Sequence, residues 1–295
     1  MKKIILFSLA IAMMTSCTNN NKKFDAAGTF EATEVNVSSE AAGRIMSLNA
    51  AEGTNVQAGE MLGAIDSVQL YLQKIQLSRN ITTVRSNTPA INTQVAAIRS
   101  EISKQQTERQ RIINLMKGGA ATQKQLDDIN SAIKVLNNQL AAQQSTLQNN
   151  VKNINAQSST IQVQIAQMQD KLNKCRIVSP VTGTIIEKYT EAGEMAVIGK
   201  PLFKIADLKN VFLRVYLTSA QLAGIKLGQK VSVFADYGNQ QKKYGGTITW
   251  ISPKAEFTPK SIPTADDREN MVYAAKVSVP NDGYIKIGMY GYINF

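Results

Sequence analysis

The sequence predicts an elongated α+β protein: a small β-sandwich split by a long antiparallel α-helical coiled-coil hairpin, followed by a C-terminal region of β-strands. Three observations predict it. Two short, similar β-type motifs stand far apart in the 295-residue chain. The stretch between them repeats apolar residues every seven positions. Beyond the second motif, short alternating segments run to the last residue.

At the N-terminus, Met1-Lys2-Lys3 is a charged start and Ile4 to Met14 is an apolar stretch too short to span a bilayer as a mature helix. Thr15-Ser16 then place small residues before Cys17, so residues 1–17 read as a secretory signal peptide. Its end resembles the lipobox of bacterial lipoproteins, although Met14 stands where Leu is more usual. That resemblance implies lipidation at Cys17 and stable anchoring, since several acyl chains hold where one binds reversibly. The alternative is an ordinary signal peptide with an incidental Cys. Residues 18–27, polar and Asn-rich at their start, read as a tether. Once Cys17 is acylated, Cys175 is the only thiol left and no intrachain disulfide can form.

The first β motif contains Gly43-Arg44-Ile45, Glu52-Gly53-Thr54 and Gly59-Glu60-Met61-Leu62, ending at Ile65-Asp66. The second contains Gly183-Thr184-Ile185, Glu191-Ala192-Gly193 and Gly199-Lys200-Pro201-Leu202, ending at Ile205-Ala206-Asp207. Each has Gly before a β-branched residue, an acidic Gly turn, and then Gly and Leu before a short apolar strand. Residues 28–66 and 175–207 therefore read as two halves of one sandwich, and the chain between them as a spacer.

That spacer, residues 67–174, changes period. Leu70, Leu77, Val84, Ile91, Ile98, Gln105 and Ile112 fall seven apart, with Ile81, Val95, Ile102 and Met116 in a second row. The returning arm keeps Leu126, Ile133, Leu140, Leu147, Ile154, Ile161 and Met168 at the same interval. Its second row runs from Ile129 and Leu136 to Val151, Ile165 and Leu172. A two-row apolar seam is the mark of a coiled coil. Arms of about 50 residues give a rod of roughly 75 Å. Pro89, after Ser86-Asn87-Thr88, should break the first arm locally, opposite Asn149-Asn150.

The tip carries the most specific short motif. Lys117-Gly118-Gly119 should end one helix with Gly in left-handed geometry, and Thr122 with Gln125 should start the next through a capping box. Here the chain resembles the periplasmic adaptors, or membrane fusion proteins of the HlyD-like family, found in bacterial tripartite efflux and secretion systems. In that family a tip pattern of Arg, Leu four residues on and a small or hydroxyl residue seven further docks an outer-membrane channel of the TolC type. Arg111, Leu115 and Thr122 match that spacing, flanking Gly118 and Gly119. The resemblance implies that Arg111 pairs with polar groups between channel helices, Leu115 fills a groove and Thr122 permits close approach. Local helix-ending chemistry accounts for Gly118, Gly119 and Thr122 without any partner.

The likeness extends over both halves, which resemble the lipoyl-like domain of such adaptors. In lipoyl and biotinyl carriers a modified Lys sits at the turn between the halves; here the whole hairpin replaces that turn, which argues against a carrier-protein subunit and implies no cofactor. Residues 208–295 read as the family's β-barrel, with strands at Val211–Leu217, Lys230–Phe234, Thr247–Ile251, Val272–Val279 and Tyr290–Phe295 and a short helix over Ser219–Ala223. Ala255 to Lys260, with Thr264, Arg268 and Val272-Tyr273, looks like adaptors that serve ABC-type exporters. The end at Phe295, without a membrane-proximal domain, points the same way. The resemblance therefore implies an inner-membrane exporter, ABC-type favoured, a TolC-like outer-membrane channel and a homo-oligomeric ring as partners. It also implies a periplasmic location, lipid-anchored with the inner membrane favoured. An adaptor for a proton-driven pump and a coiled-coil envelope lipoprotein are the other readings.

Composition agrees with a non-catalytic role. The chain has no His, which removes the usual general base and a favoured metal ligand. Two cysteines alone make no thiolate zinc site, so neither a catalytic residue nor a metal ligand is expected. The net charge of +11 comes without a run of five basic residues or aromatic-basic interleaving, which argues against nucleic acid as a partner.

Overall fold

The computed structural model describes residues 24–238, 240–257 and 271–295. Cys17 and the expected signal segment 1–17 lie outside the described residues.

The sandwich is built from strands β1 (Ala26–Ser38), β2 (Gly43–Leu48), β3 (Asn55–Val56) and β4 (Met61–Ile65), then β5 (Arg176–Val178), β6 (Gly183–Lys188), β7 (Met195–Ala196) and the start of β8 (Pro201–Thr218). The two motifs complete each other by one repeated device. Gly53 N–H donates to the Ile185 carbonyl at 2.8 Å and Ile185 N–H to that of Thr54 at 2.9 Å. In the matching place Gly193 N–H donates to the Ile45 carbonyl at 2.8 Å and Ile45 N–H to that of Glu194 at 2.9 Å. Gly53 and Gly193 sit at φ 83° and 95°, a turn that Gly alone adopts without cost. Ser39 and Ser179 are likewise paired in role, each hydroxyl donating two residues ahead at 2.6 Å, to Ala41 and Val181. Neither half is satisfied alone, because β3 pairs with β6, β2 with β7 and β4 with β5. The shared core draws Ile45, Val56, Leu62 and Ile65 from one half and Ile177, Ile185, Leu202, Phe203 and Ile205 from the other. Each such side chain contributes about 1.5–3 kcal/mol on burial.

The barrel adds β9 (Lys230–Tyr237), β10 (Gln240–Ile251), β12 (Met271–Pro280) and β13 (Tyr290–Asn294), with the short β11 (Glu256–Phe257) at an edge. Its pairings run β12-β10-β9-β13-β1-β8 and return to β12, so the antiparallel ring closes. Closure removes exposed edges. Phe30, Leu213, Val215, Leu217, Val233, Val277 and Ile293 are fully buried inside it.

The structure corrects two expected boundaries. Residues 24–27 are not tether: Phe24 stacks on Tyr292 with ring centroids 4.6 Å apart, and Ala26 and Ala27 pair with Ile293 and Tyr292. The sandwich also does not begin at residue 28: Phe30 lies in the barrel core, and the sandwich core starts at Val37. β1 and β8 pass through both units, pairing with each other from Gly28↔Val215 in the barrel to Ser38↔Pro201 in the sandwich. Between Ala32↔Val211 and Glu34↔Ala206 the register shifts, leaving residues 207–210 opposite Thr33 as a bulge. Asp207 holds that bulge, its Oδ1 accepting from the amides of Lys209 at 3.0 Å and Asn210 at 3.2 Å. Burial pushes its carboxyl up, but the Asn210 side chain and these amides outweigh it and hold the carboxyl below the ordinary range.

Helices α1 (Val68–Ser86) and α2 (Ile91–Lys117) form the outgoing arm and α3 (Gln123–Lys174) returns, packing against both. Ile65 N–H donates to the Cys175 carbonyl at 2.8 Å, which ties the hairpin's two feet together. Lys74 Nζ donates to Gln169 Oε1 at 2.6 Å, which sets the register near the root. Every residue of the predicted seam is buried or half-buried, with Val95, Ile102, Ile129, Ile133, Leu147 and Ile161 the most enclosed. The outgoing arm breaks between Ser86 and Ile91 around Pro89, and Pro89 and Asn150 line one shallow groove as the folded-back register predicts. A short helix α4 (Ser219–Leu222) caps β8.

Candidate functional site: the hairpin tip

The turn between α2 and α3 is fixed by its own backbone. Gly119 N–H donates to the Met116 carbonyl at 3.0 Å and Ala120 N–H to that of Leu115 at 2.9 Å. This pair is a Schellman motif, and it requires a left-handed residue after the helix end. Gly119 is that residue, at φ 74°, while Gly118 remains at φ −92°. Thr122 then caps α3: its Oγ1 accepts from Gln125 N–H at 3.4 Å, and Gln125 Oε1 accepts from Thr122 N–H at 2.8 Å. The reversal is therefore a rigid corner.

Around it the predicted residues stand in the open. The Arg111 side chain is 72% exposed, and its ion pair to Glu108 at 3.7 Å is a solvated contact of little strength. Leu115 is 43% exposed although Ile112 and Met116 beside it are half-buried in the seam. Thr122, Gly118 and Gly119 are exposed as well. Arg111, Leu115 and Thr122 thus share the tip region, and none is consumed by the core. With 52 residues, α3 reaches about 78 Å from the sandwich at the ordinary helical rise.

Other chemistry-bearing groups are enclosed. Cys175 is 3% exposed and its Sγ donates to the Lys171 carbonyl at 3.3 Å. Burial pushes its thiol up and Asp66 adds to the shift, which keeps it protonated and inert. Among the described residues no group of His, Cys, Asp or Glu is placed to hold a metal ion. No described helix is long and apolar enough to cross a membrane.

Sequence reasoning missed one feature of the hairpin root. Val68, Tyr71, Leu72 and Ile75 form an apolar stripe on α1 that is 60%, 55%, 51% and 39% exposed. Their spacing of three and four was readable, but they lie off the seven-residue seam.

The family model for the CzcB-like, barrel-sandwich hybrid domain matches residues 33–207, from the first half of the sandwich through the hairpin to the second. The chain belongs to this family. The CzcB-like chain also resembles its relatives over nearly its whole length. A UPF0194 membrane protein of Yersinia pseudotuberculosis serotype O:3 (strain YPIII) is 24% identical over 317 residues, covering 98% of this chain and 96% of its own. Among solved structures, MacA from Actinobacillus actinomycetemcomitans is 21% identical with a TM-score of 0.53, covering 91% of this chain and 76% of its own. The membrane fusion protein Spr0693 from Streptococcus pneumoniae R6 is 17% identical with a TM-score of 0.53, covering 91% and 96%. These likenesses show the shared fold.

Proposed function

We propose that this chain is a lipid-anchored periplasmic adaptor. It would link an inner-membrane exporter, of the ABC type by preference, to a TolC-like outer-membrane channel, as a ring of copies. The observation that carries the reading is the corner at Gly118–Thr122, a rigid turn at the end of a long hairpin with Arg111 and Leu115 left free beside it. A stiff rod whose exposed residues cluster at one end suits end-on docking, and several weak tip contacts bind tightly when presented together. The likeness to the membrane fusion protein Spr0693 supports the same class. Acylation of Cys17 would hold the other end at a membrane.

Export and crosslinking test this. Arg111→Asp, Leu115→Ser and Thr122→Arg should each abolish export at normal abundance, and a photo-crosslinker at position 115 should capture the channel. Arg99→Asp is the control, since Arg99 is exposed lower on the same arm and donates to Asn92 Oδ1. Normal export by all three tip variants at wild-type abundance rules out the tip as the docking site.

A further inference from the structure

We propose that the turn Ile225–Lys230 at the far end of the barrel rests on a bilayer surface carrying anionic phospholipid, and so fixes the direction in which the hairpin points. The inference rests on the reading that Cys17 is acylated, and it adds a second point of contact to that anchor.

Strand direction places several features at the barrel end opposite the sandwich. β8 reaches Thr218 there, opposite Val272, while Ala26 pairs with Ile293 and Asn294 with Ser232. Phe24, α4, Phe295 and the turn before β9 therefore gather at this end. Gln221 Nε2 donates to the Asp25 carbonyl, and Phe295 N–H donates to Asp25 Oδ2 at 2.8 Å. Phe24, held on Tyr292, is where the described chain begins. Residues 18–23 between it and Cys17 reach about 20 Å at full extension, so a lipid on Cys17 keeps this end of the barrel beside the membrane.

The turn facing that membrane has the right chemistry. Ile225 is buried and pins it, while Leu227 is 69% exposed between the exposed Lys226 and Lys230. Its shape does not depend on a partner. Gly228, at φ 84°, donates to the Ile248 carbonyl at 2.8 Å, Ile248 N–H donates to that of Gln229 at 3.0 Å, and Gln229 Oε1 accepts from Lys226 N–H at 3.0 Å. Leu227 is thus presented on a rigid support rather than left loose. Exposed Phe295 adds apolar surface at the same end, and the carboxylate of Asp25 is engaged with the Phe295 amide. An apolar side chain between two lysines matches the bilayer interface, where Leu enters the acyl boundary and ammonium groups meet headgroup phosphates. The sister turn, Ile285-Lys286-Ile287-Gly288, repeats the backbone pattern, with Gly288 donating to the Phe30 carbonyl at 2.8 Å. It follows Asn281, whose amide bonds to Lys209 at the sandwich side, and its Ile287 is only 38% exposed. An acyl anchor alone leaves a long rod free to tilt. A second contact removes that freedom.

The test uses the full acylated chain carrying Leu227→Cys, labelled with an NBD fluorophore; buried Cys175 does not compete for the reagent. After reconstitution into phosphatidylethanolamine–phosphatidylglycerol vesicles, the label should give blue-shifted emission that doxyl-lipid quenches. Adding Lys226→Glu and Lys230→Glu should return the emission toward its aqueous value while the protein still floats with the vesicles. A label at Ser145→Cys on the hairpin should stay aqueous throughout. Aqueous emission from position 227 in anionic vesicles overturns the proposal. So does equal burial in pure phosphatidylcholine, or burial only when an inner-membrane protein is present. The anchor itself is read separately, by the mass of the Cys17 peptide and by flotation. If both show no lipid, the label on chain mixed with the same vesicles still reports on the turn.

Discussion

Thr122 and Gln125 satisfy each other reciprocally, Oγ1 accepting from one backbone amide and Oε1 from the other at 3.4 and 2.8 Å. The pair closes the tip and leaves the outer side of Thr122 open. Thr122→Ala should cost about 1 kcal/mol of local helix stability. Over a 52-residue helix sustained by a long seam, that loss should barely move the melting temperature. Thr122→Arg removes the same cap and adds bulk, so a channel-docking defect in Thr122→Arg without one in Thr122→Ala separates contact from capping. Equal export defects in both would assign the effect to the cap.

The two tip glycines should behave differently. A Cβ on Gly119 meets nothing within 4 Å, so substitution there is opposed by its φ of 74° alone. Left-handed geometry costs an L-residue about 1–2 kcal/mol, so Gly119→Ala should raise amide exchange around residues 115–120. A Cβ on Gly118 lies 3.5 Å from the Leu115 carbonyl oxygen, an ordinary contact, with φ already negative. Gly118→Ala should leave exchange unchanged or slower. Hydrogen-exchange mass spectrometry on both variants is the check.

The barrel should weaken in acid through Asp282. Lys242 is the main cause holding the Asp282 carboxyl below its ordinary value of 3.8, with the Tyr284 amide and the Tyr244 hydroxyl adding to it. Lys242 also sits 4.0 Å over the Tyr284 ring, and burial with Asp282 pushes Tyr244 up to about 12. A carboxylate with a depressed folded value lends stability that is fully present above its unfolded value and is lost as pH falls through the lower, folded one. The melting temperature should therefore drop from about pH 5 downward, and Asp282→Asn should flatten part of that drop. An identical pH profile in the variant would assign the acid loss to other carboxylates.

The hairpin was legible because its signals are local. Seven-residue spacing marked a seam whose members are all buried or half-buried, and Pro89 and the Thr122–Gln125 pair stand where helix chemistry puts them. The border at the start of the sandwich was not, because β1 belongs to both units at once. Asp207-Leu208-Lys209-Asn210 spans the expected border between residues 207 and 208, and the chain crosses it as a bulge that bends β8 without ending it. The front of β10 was also missed. Gln240 to Gly246 is polar and Gly-rich, and its strand identity comes from pairing with β9 rather than from alternation. At the tip, the seam row assigned Met116 to the core, and the structure leaves Leu115 43% exposed beside a half-buried Met116.

Close packing at Gly28 gives the sharpest stability test of the shared strands. A Cβ there would lie 1.8 Å from the Arg214 carbonyl oxygen on β8, which no rotamer can relieve because the obstacle is backbone. Gly28→Ala should push β1 off β8 where Gly28 pairs with Val215, at a cost of about 1–3 kcal/mol or more. Gly245→Ala is the matched control, in β10 with nothing within 4 Å of its Cβ and no strained φ. Denaturant melts should show the first variant losing stability while the second keeps it. Similar midpoints for both would mean that β1 and β8 are not in register at Gly28.

Ser158 should be stabilised by losing its hydroxyl. It occupies the seam row of Val151, Ile165 and Leu172, is 4% exposed, and its Oγ finds no hydrogen-bond partner among the described residues. A buried hydroxyl without a partner costs about 1–3 kcal/mol in mutational terms, and Ala is also the better helix former. Ser158→Ala should therefore raise the melting temperature, and Ser158→Val should do so less, because its branched side chain restricts χ1 in a helix and brings extra volume. The opposite outcome, a fall in stability with Ala, would require a partner for the hydroxyl, such as a carbonyl one turn back on α3. Polar residues inside a helical seam fix register at some expense of stability. A stabilised Ser158→Ala chain whose arms slip, read as a changed distance between spin labels at positions 79 and 163, would place Ser158 in that class.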